Sequence, residues 1–377
     1  MSIAVRWVIG ATLMIACAMG IGRFAYTPLL PLMVAEFGWD FAAAGDVASA
    51  NFLGYMVGAM LAPRLANSPQ ARTWVAFSLM ASVLTTYLGA EATTFAQWLT
   101  VRFLSGIASA FCLVTVTTHL IYRLSADGRE GLGNVHFAGV GVGILACMAA
   151  VYMDGDTSAQ WARLGGLAAV LMAIAWMLFS RGAWHTPDPV AAPQDGGGFR
   201  GLGRLIAGYG FFGFGYVVAA TFLVAMAEST AQDGFRTGDV WLIVGLAVLP
   251  SVYLWQMVAN RVGILDALRA AYVLEGAGLL LAGVSDGFLA LALASAILGG
   301  TFAAITALGI SAARSAAPHR VAFAVSAMTV SFALGQLLGP AFAGRMADYS
   351  GGFFWPSLAA ALLLFGAALL VPRRAPG

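Results

Sequence analysis

Twelve stretches of this 377-residue chain are each apolar over a run of about 20 residues, and nothing else in the sequence constrains the fold as much. They lie at about 5–33, 41–62, 72–90, 95–121, 131–151, 160–180, 204–227, 238–259, 267–284, 287–312, 321–343 and 353–371. About 20 apolar residues of helix cross the hydrocarbon core of a bilayer, so twelve crossings use ~250 residues. What remains suffices only for short connections, with no room for a soluble domain. The runs are continuous rather than alternating, which excludes a membrane β-barrel. The first run continues through Pro28 and Pro31 without a small-residue cleavage site, so it reads as a span and not as a removable leader. The expected fold is an all-α integral membrane protein with twelve transmembrane helices.

Composition narrows the function. Hydrophobic residues are 60% of the chain and charged residues 10%, against about 25% charged in soluble domains. Too few charges exist to cover a soluble surface, and no basic block exists to grip nucleic acid. All 19 basic residues are Arg, so the lysine of a nucleotide-binding P-loop is absent and an ATP-driven pump is excluded. The 3 Cys (Cys17, Cys112, Cys147) sit in apolar runs, and the 4 His lie far apart, so no metal or cofactor is expected. No cluster of nucleophile and base marks an enzyme. The expected partners are the lipid bilayer and a small molecule, with protons as a possible co-substrate, and the chain is expected to act as a monomer.

Orientation follows from the arginines. Arg163, Arg236 and Arg345 mark one set of span ends; Arg23 and Arg102 lie inside spans; all the others mark the opposite ends. The Arg-rich side reads as cytoplasmic, which places both termini inside and the chain in a bacterial inner membrane. Trp7, Trp39, Trp98, Trp161 and Trp355 at span ends suggest an interfacial aromatic belt.

The longest connection, 181–203, is rich in Pro and Gly and reads as a cytoplasmic linker. It separates six spans (1–180) from six (204–377), and the halves resemble each other. Gly20, Gly22, Leu30 and Met33 match Gly213, Gly215, Leu223 and Met226 at a constant offset of 193 positions, and Gly45-Asp46-Val47 matches Gly238-Asp239-Val240 at the same offset. Gly106 and Ala110 match Gly300 and Ala304 one position later. Two duplicated six-helix bundles suggest alternating access to a site near the bilayer midplane.

With these features the chain resembles the major facilitator superfamily. Asn260-Arg261-Val262-Gly263 is similar to the family's loop signature after the eighth span, with Asn replacing Asp; its first-half counterpart at Pro63-Arg64-Leu65-Ala66-Asn67 is degraded. Arg102-Phe103-Leu104-Ser105-Gly106 meets the fourth-span Arg-x-x-x-Gly pattern, and Gly139, Gly141 and Gly143 partly meet the fifth-span glycine motif. Gly335 and Gly339-Pro340 look like its second-half echo. Within the superfamily, Gly20-Ile21-Gly22-Arg23-Phe24-Ala25-Tyr26-Thr27-Pro28, His136-Phe137-Ala138-Gly139 and Gly213-Phe214-Gly215-Tyr216 resemble the bacterial YbfB/YjiJ type. The resemblance implies a secondary transporter whose first and fourth spans border a central cavity, with Arg261, Gly263, Gly106, Gly339 and Pro340 in gating or conformational roles.

The intramembrane polar residues are the candidate site. A charge at the centre of a span costs at least about 2.5–3.5 kcal/mol, so Arg23 and Arg102 face a cavity or a partner. Either they offer guanidinium groups to an anion, or they are structural: Arg102 holding helices together through carbonyls or an acid, Arg23 pairing with Asp46. Tyr26, Tyr216, Asn51 and Tyr55 complete the expected substrate set. Tyr216 is the repeat mate of Arg23, and Asn51 and Tyr55 share a helix face. Asp46, Glu275 and His136 are the candidate proton carriers, each with a structural alternative: a helix-terminal acid, a packed neutral acid and an interfacial imidazole. A transporter of a small organic anion, proton-coupled or exchanging, is the first expectation; an exporter of amphipathic compounds is the second.

Overall fold

The computed structural model describes residues 2–66, 68–180, 201–228, 236–284, 287–317 and 320–372, and the regular structure among them is entirely helical. Residues 181–200 of the expected linker lie outside the described residues. The α-helices are α1 (Ile3–Ile15), α2 (Tyr26–Phe37), α3 (Phe41–Ala66), α4 (Ala71–Leu88), α5 (Phe95–Ala126), α6 (Gly139–Val151), α7 (Thr157–Phe179), α8 (Leu202–Glu228), α9 (Asp239–Val262), α10 (Ile264–Val284), α11 (Phe288–Ala316), α12 (Val321–Ser350) and α13 (Phe354–Leu370). The first two form one interrupted span, so each of the twelve expected spans has its helix. By length and apolar composition alone, 8 helical segments qualify as membrane-crossing, the interrupted Ile3–Phe37 among them. Helices α6 and α13 are shorter; α3 carries Asp46 and Asn51, and α4 carries Ser78, Ser82, Thr85 and Thr86, which dilute their apolar character.

Local chemistry sets the ends. Thr94 and Gln97 form a reciprocal capping box at the start of α5, and Asp156 accepts the Ala159 amide at the start of α7. Gly38 and Gly351 end α2 and α12 with φ of 64° and 74°, a conformation that glycine adopts without steric cost.

The chain forms two compact units. One holds Met1–Trp39 and Ala50–Pro189, the other Asp40–Ser49 and Val190–Gly377. The first turns of α3 therefore belong to the second unit. Within the first unit, Gly20 lies on the backbone of Gly143 in α6, with no space for a Cβ. Within the second, its repeat mate Gly213 lies equally close to the backbone of Phe332 in α12. The same offset places Gly299, not Gly300, opposite Gly106. Gly106 packs on the Asn51 carbonyl and Tyr55 amide of α3, and Gly299 packs on the Val244 carbonyl of α9, whereas a Cβ on Gly300 would meet open space. The structural repeat thus keeps one offset where the sequence match slipped by one residue.

The expected aromatic belt is only partly surface. Trp355 is exposed, but Trp98 and Trp161 are buried and pack on each other with ring centroids 5.5 Å apart. Trp7 is buried too, beneath the Arg123 guanidinium.

Candidate functional site

Between α1 and α2 the first span changes its hydrogen-bond pattern. Residues Ala16–Ile21 form a π-helical turn, and the amides of Gly22 and Phe24 reach back five residues, to the Cys17 and Met19 carbonyls at 3.0 and 3.1 Å. Pro28 and Pro31 follow and have no amide to donate, so the ladder cannot recover its regular register at once. The carbonyls of Gly22 and Arg23 are left facing α5. Arg102 fills the gap: its Nη1 donates to the Gly22 carbonyl and its Nη2 to the Arg23 carbonyl, both at 2.9 Å. Ser105, one turn further along α5, also donates to Gly22, at 2.8 Å. Tyr26 covers the Arg102 guanidinium, 5.0 Å from carbon to ring centroid. Arg102 thus clamps backbone carbonyls of the interrupted span. Both Nη groups of this buried cation find acceptors without a carboxylate, while its Nε has no partner.

Arg23 projects from this break and is differently placed. It is 3% exposed, with its guanidinium carbon 4.2 Å from the centre of the Tyr55 ring, 4.6 Å from Phe52 and 5.6 Å from Phe24. Its Nε and Nη2 meet no hydrogen-bonding partner. Asn51 joins the same neighbourhood of α3 and α5. Its amide donates to the Arg102 carbonyl at 2.9 Å, while its own Oδ1 has no partner. Arg23, Tyr55, Asn51, Arg102 and Tyr26 are thus gathered in the first unit, and Tyr216 of the same expected set lies in the second. Phe52 and Phe24 were not anticipated, because a Phe in an apolar run gives no signal of the face it occupies.

Asp46 is not the partner of Arg23. It belongs to the second unit, where both its oxygens accept from Arg345, at 2.7 and 2.9 Å. Nearby, Asp348 accepts the amides of Phe41 and Ala42 at 3.1 and 2.7 Å and caps the start of α3. Gly45 lies on the backbone of Pro340, and Gly339 lies on Phe214 and Val217 of α8. The proline and glycine assigned to conformational roles therefore sit at tight helix crossings.

Elsewhere in the second unit, Tyr216 stacks between Phe302 and Phe332, with interplanar angles of 8° and 3°. Its hydroxyl accepts a hydrogen bond from the Gln336 amide, whose Oε1 is buried without a partner. Gln336 was missed in the sequence; a lone amide in an apolar span was the available signal. Glu275 is fully buried in α10, with both carboxyl oxygens unpartnered and with Tyr272 and Thr301 beside it. The Thr301 hydroxyl donates to the Ile297 carbonyl at 2.7 Å.

His136 is buried and is held at both ring nitrogens. Nδ1 lies 2.7 Å from the Gly133 carbonyl and Nε2 lies 2.8 Å from the Thr117 hydroxyl. Arg261 and Gly263 are exposed at the junction of α9 and α10, where Gly263 adopts a φ of 92°. No cluster of His, Cys, Asp or Glu able to hold a metal occurs among the described residues.

Comparison with known proteins gives the frame for these groups. The model of a family described as the uncharacterised MFS-type transporter YbfB matches residues 15–372. No curated protein matches the sequence. Among solved structures, one of the nucleoside transporter NupG, a point variant, is similar with a TM-score of 0.74 at 16% identity, over 98% of each chain. Another of NupG gives 0.71 at 16%, over 99% of this chain and 100% of that one. A bacterial homologue of the human lysosomal transporter Spinster, inward-facing and unoccupied, gives 0.65 at 15%, over 98% and 96%. At such identities the likeness concerns the fold alone.

Proposed function

The chain belongs to the MFS-type YbfB transporter family, and on that premise we propose that this secondary transporter moves a small organic anion across the bacterial inner membrane. Transport is by alternating access, with proton symport or anion exchange supplying the bias, and with both termini cytoplasmic and the chain acting as a monomer. The observation that carries the reading is the charge of the first unit's interior. Arg23, Arg102 and Arg123 are buried there, and among the described residues no Asp or Glu is. Arg102 and Arg123 are committed to backbone carbonyls, the latter to Phe179 at 2.8 Å. Arg23 keeps donors for a ligand. Glu275, the one buried acid among the described residues, is the candidate carrier of a coupling proton.

The test is uptake into proteoliposomes. An imposed inward proton gradient is expected to accumulate an organic anion, and Arg23→Gln is expected to abolish that accumulation. Anion accumulation that survives in Arg23→Gln refutes the assignment.

A second reading draws on one different observation. The stack of Tyr209, Phe212, Tyr216, Phe302 and Phe332 in the second unit, with the Gln336 amide at its side, suits a flat amphipathic compound. Export of such compounds, unaffected by organic anions, is the outcome that would favour it.

A further inference from the structure

The two nitrogens of Arg23 without partners are Nε and Nη2. These are not an arbitrary pair. They share one edge of the guanidinium plane, where the Nε–H and one Nη2–H run parallel and match the spacing of two carboxylate oxygens. The Tyr55 and Phe52 rings lie 4.2 and 4.6 Å from the carbon of the same group, and no acid is buried in this unit among the described residues.

Arg102, the other deep cation, cannot supply a second grip. Its Nη1 and Nη2 are taken by the Gly22 and Arg23 carbonyls, which leaves only Nε without a partner. A single nitrogen does not form a fork. Instead, Arg102 is a positioning residue: it fixes the carbonyl of Arg23 itself, and so the backbone from which the free edge projects.

We propose that the Nε–Nη2 edge of Arg23 is a bidentate site for one carboxylate, and that the transported solute is a small monocarboxylate. This rests on the organic-anion reading above and narrows it. A dicarboxylate would bring a second charge into an interior that has one free fork and no other uncommitted guanidinium. An anion without two coplanar oxygens, such as a halide, would use only half of the edge. Lysine at this position would keep the charge but lose the fork, because an ammonium is a point donor and not a planar one.

The experiment is ligand binding to the purified full-length chain in detergent, by calorimetry and thermal stability. The probes are acetate, propionate, benzoate, succinate, chloride, uridine and tetraphenylphosphonium. The expected result is binding of the monocarboxylates, with succinate and chloride markedly weaker. Arg23→Lys is expected to weaken monocarboxylate binding by about ten- to a hundred-fold, the loss of one charge-assisted hydrogen bond. The ranking of ligands on the unaltered chain needs no variant, so it stands even if the variants fold poorly. Succinate binding as tightly as propionate, or Arg23→Lys binding propionate as well as the unaltered chain, overturns the bidentate site and leaves the anion reading intact. Binding of uridine or tetraphenylphosphonium with every anion inert overturns both.

Discussion

The two units bury opposite kinds of charge. In the first, Arg23 and Arg102 are each 3% exposed and Arg123 is 5% exposed, with no buried acid among the described residues. In the second, Glu275 is 0% exposed, with no buried arginine among the described residues. The uncharged partners differ in the same sense. The first unit sets its cations against backbone carbonyls and aromatic rings; the second sets its acid beside Tyr272 and Thr301. The two units thus share close helix crossings, at Gly20 and Gly213 and at Gly106 and Gly299, while the polar residues of the matched spans differ. Arg23 and Tyr216 are repeat mates, and only one of them is charged. The difference teaches that the scaffold and the chemistry are separable. Glycine contacts hold the repeat, and single polar substitutions distinguish a cation-bearing half from an acid-bearing one.

The clamp in the first unit offers the most forceful way to break this comparison. Arg102→Leu removes the donors to Gly22 and Arg23 and leaves buried carbonyls short of partners. A loss of about 1–3 kcal/mol in stability is expected for each buried carbonyl left without a partner. Arg102→Lys is expected to recover only part of it, since an ammonium cannot reproduce the planar two-carbonyl contact. Thermal unfolding in detergent checks both. A variant as stable as the unaltered chain would mean that Arg102 is not structural and would return it to the ligand set.

The repeat itself is tested by adjacent glycines. Gly299→Ala would drive a Cβ into the Val244 carbonyl, whereas Gly300→Ala would meet open space. The first is expected to destabilise by about 1–3 kcal/mol, as overpacking does, and the second to change stability little or raise it slightly through helix propensity. Gly106→Ala in the first unit is expected to behave like Gly299→Ala. If Gly300 proved the sensitive position, the offset seen in the sequence would be the true one.

Glu275 sharpens the functional side of the contrast. Glu275→Gln conserves shape, and its stability is expected to stay within about 1–2 kcal/mol of the original. If Glu275 carries the coupling proton, the variant loses proton-driven accumulation but keeps counterflow exchange of the same solute. Proteoliposome assays separate the two, and intact accumulation would make Glu275 a packing residue.

Much of this architecture was legible in the sequence. Apolar runs of bilayer length reveal the number of spans, because the hydrocarbon core leaves the backbone no alternative to helix. What was not legible is rotation. A helix apolar all round carries no periodic stripe to show which side faces its neighbours. Hence nothing in the sequence shows that Phe52 and Phe24 face Arg23, that Gln336 meets Tyr216, or that Asp46 meets Arg345, 299 positions away. The assignment of Asp40–Ser49 to the second unit is also a tertiary fact, invisible to span counting.

The pair formed by Asp46 and Arg345 should show the smallest effect. Its geometry is good, with both carboxylate oxygens engaged at 2.7 and 2.9 Å. The side chains are nevertheless 35% and 57% exposed, so water screens the attraction and ordering two side chains offsets part of it. A double-mutant cycle with Asp46→Asn and Arg345→Gln is expected to give a coupling of about 0–1 kcal/mol, shrinking further in high salt. The contrast with Arg102 is then one of burial rather than charge. Two guanidinium groups with equally short hydrogen bonds would differ several-fold in their contribution because one is sealed in the interior and the other faces solvent. A coupling well above that range would show that the neighbouring Asp348 cap and the pair act as one network, since Asp348 also binds the start of α3.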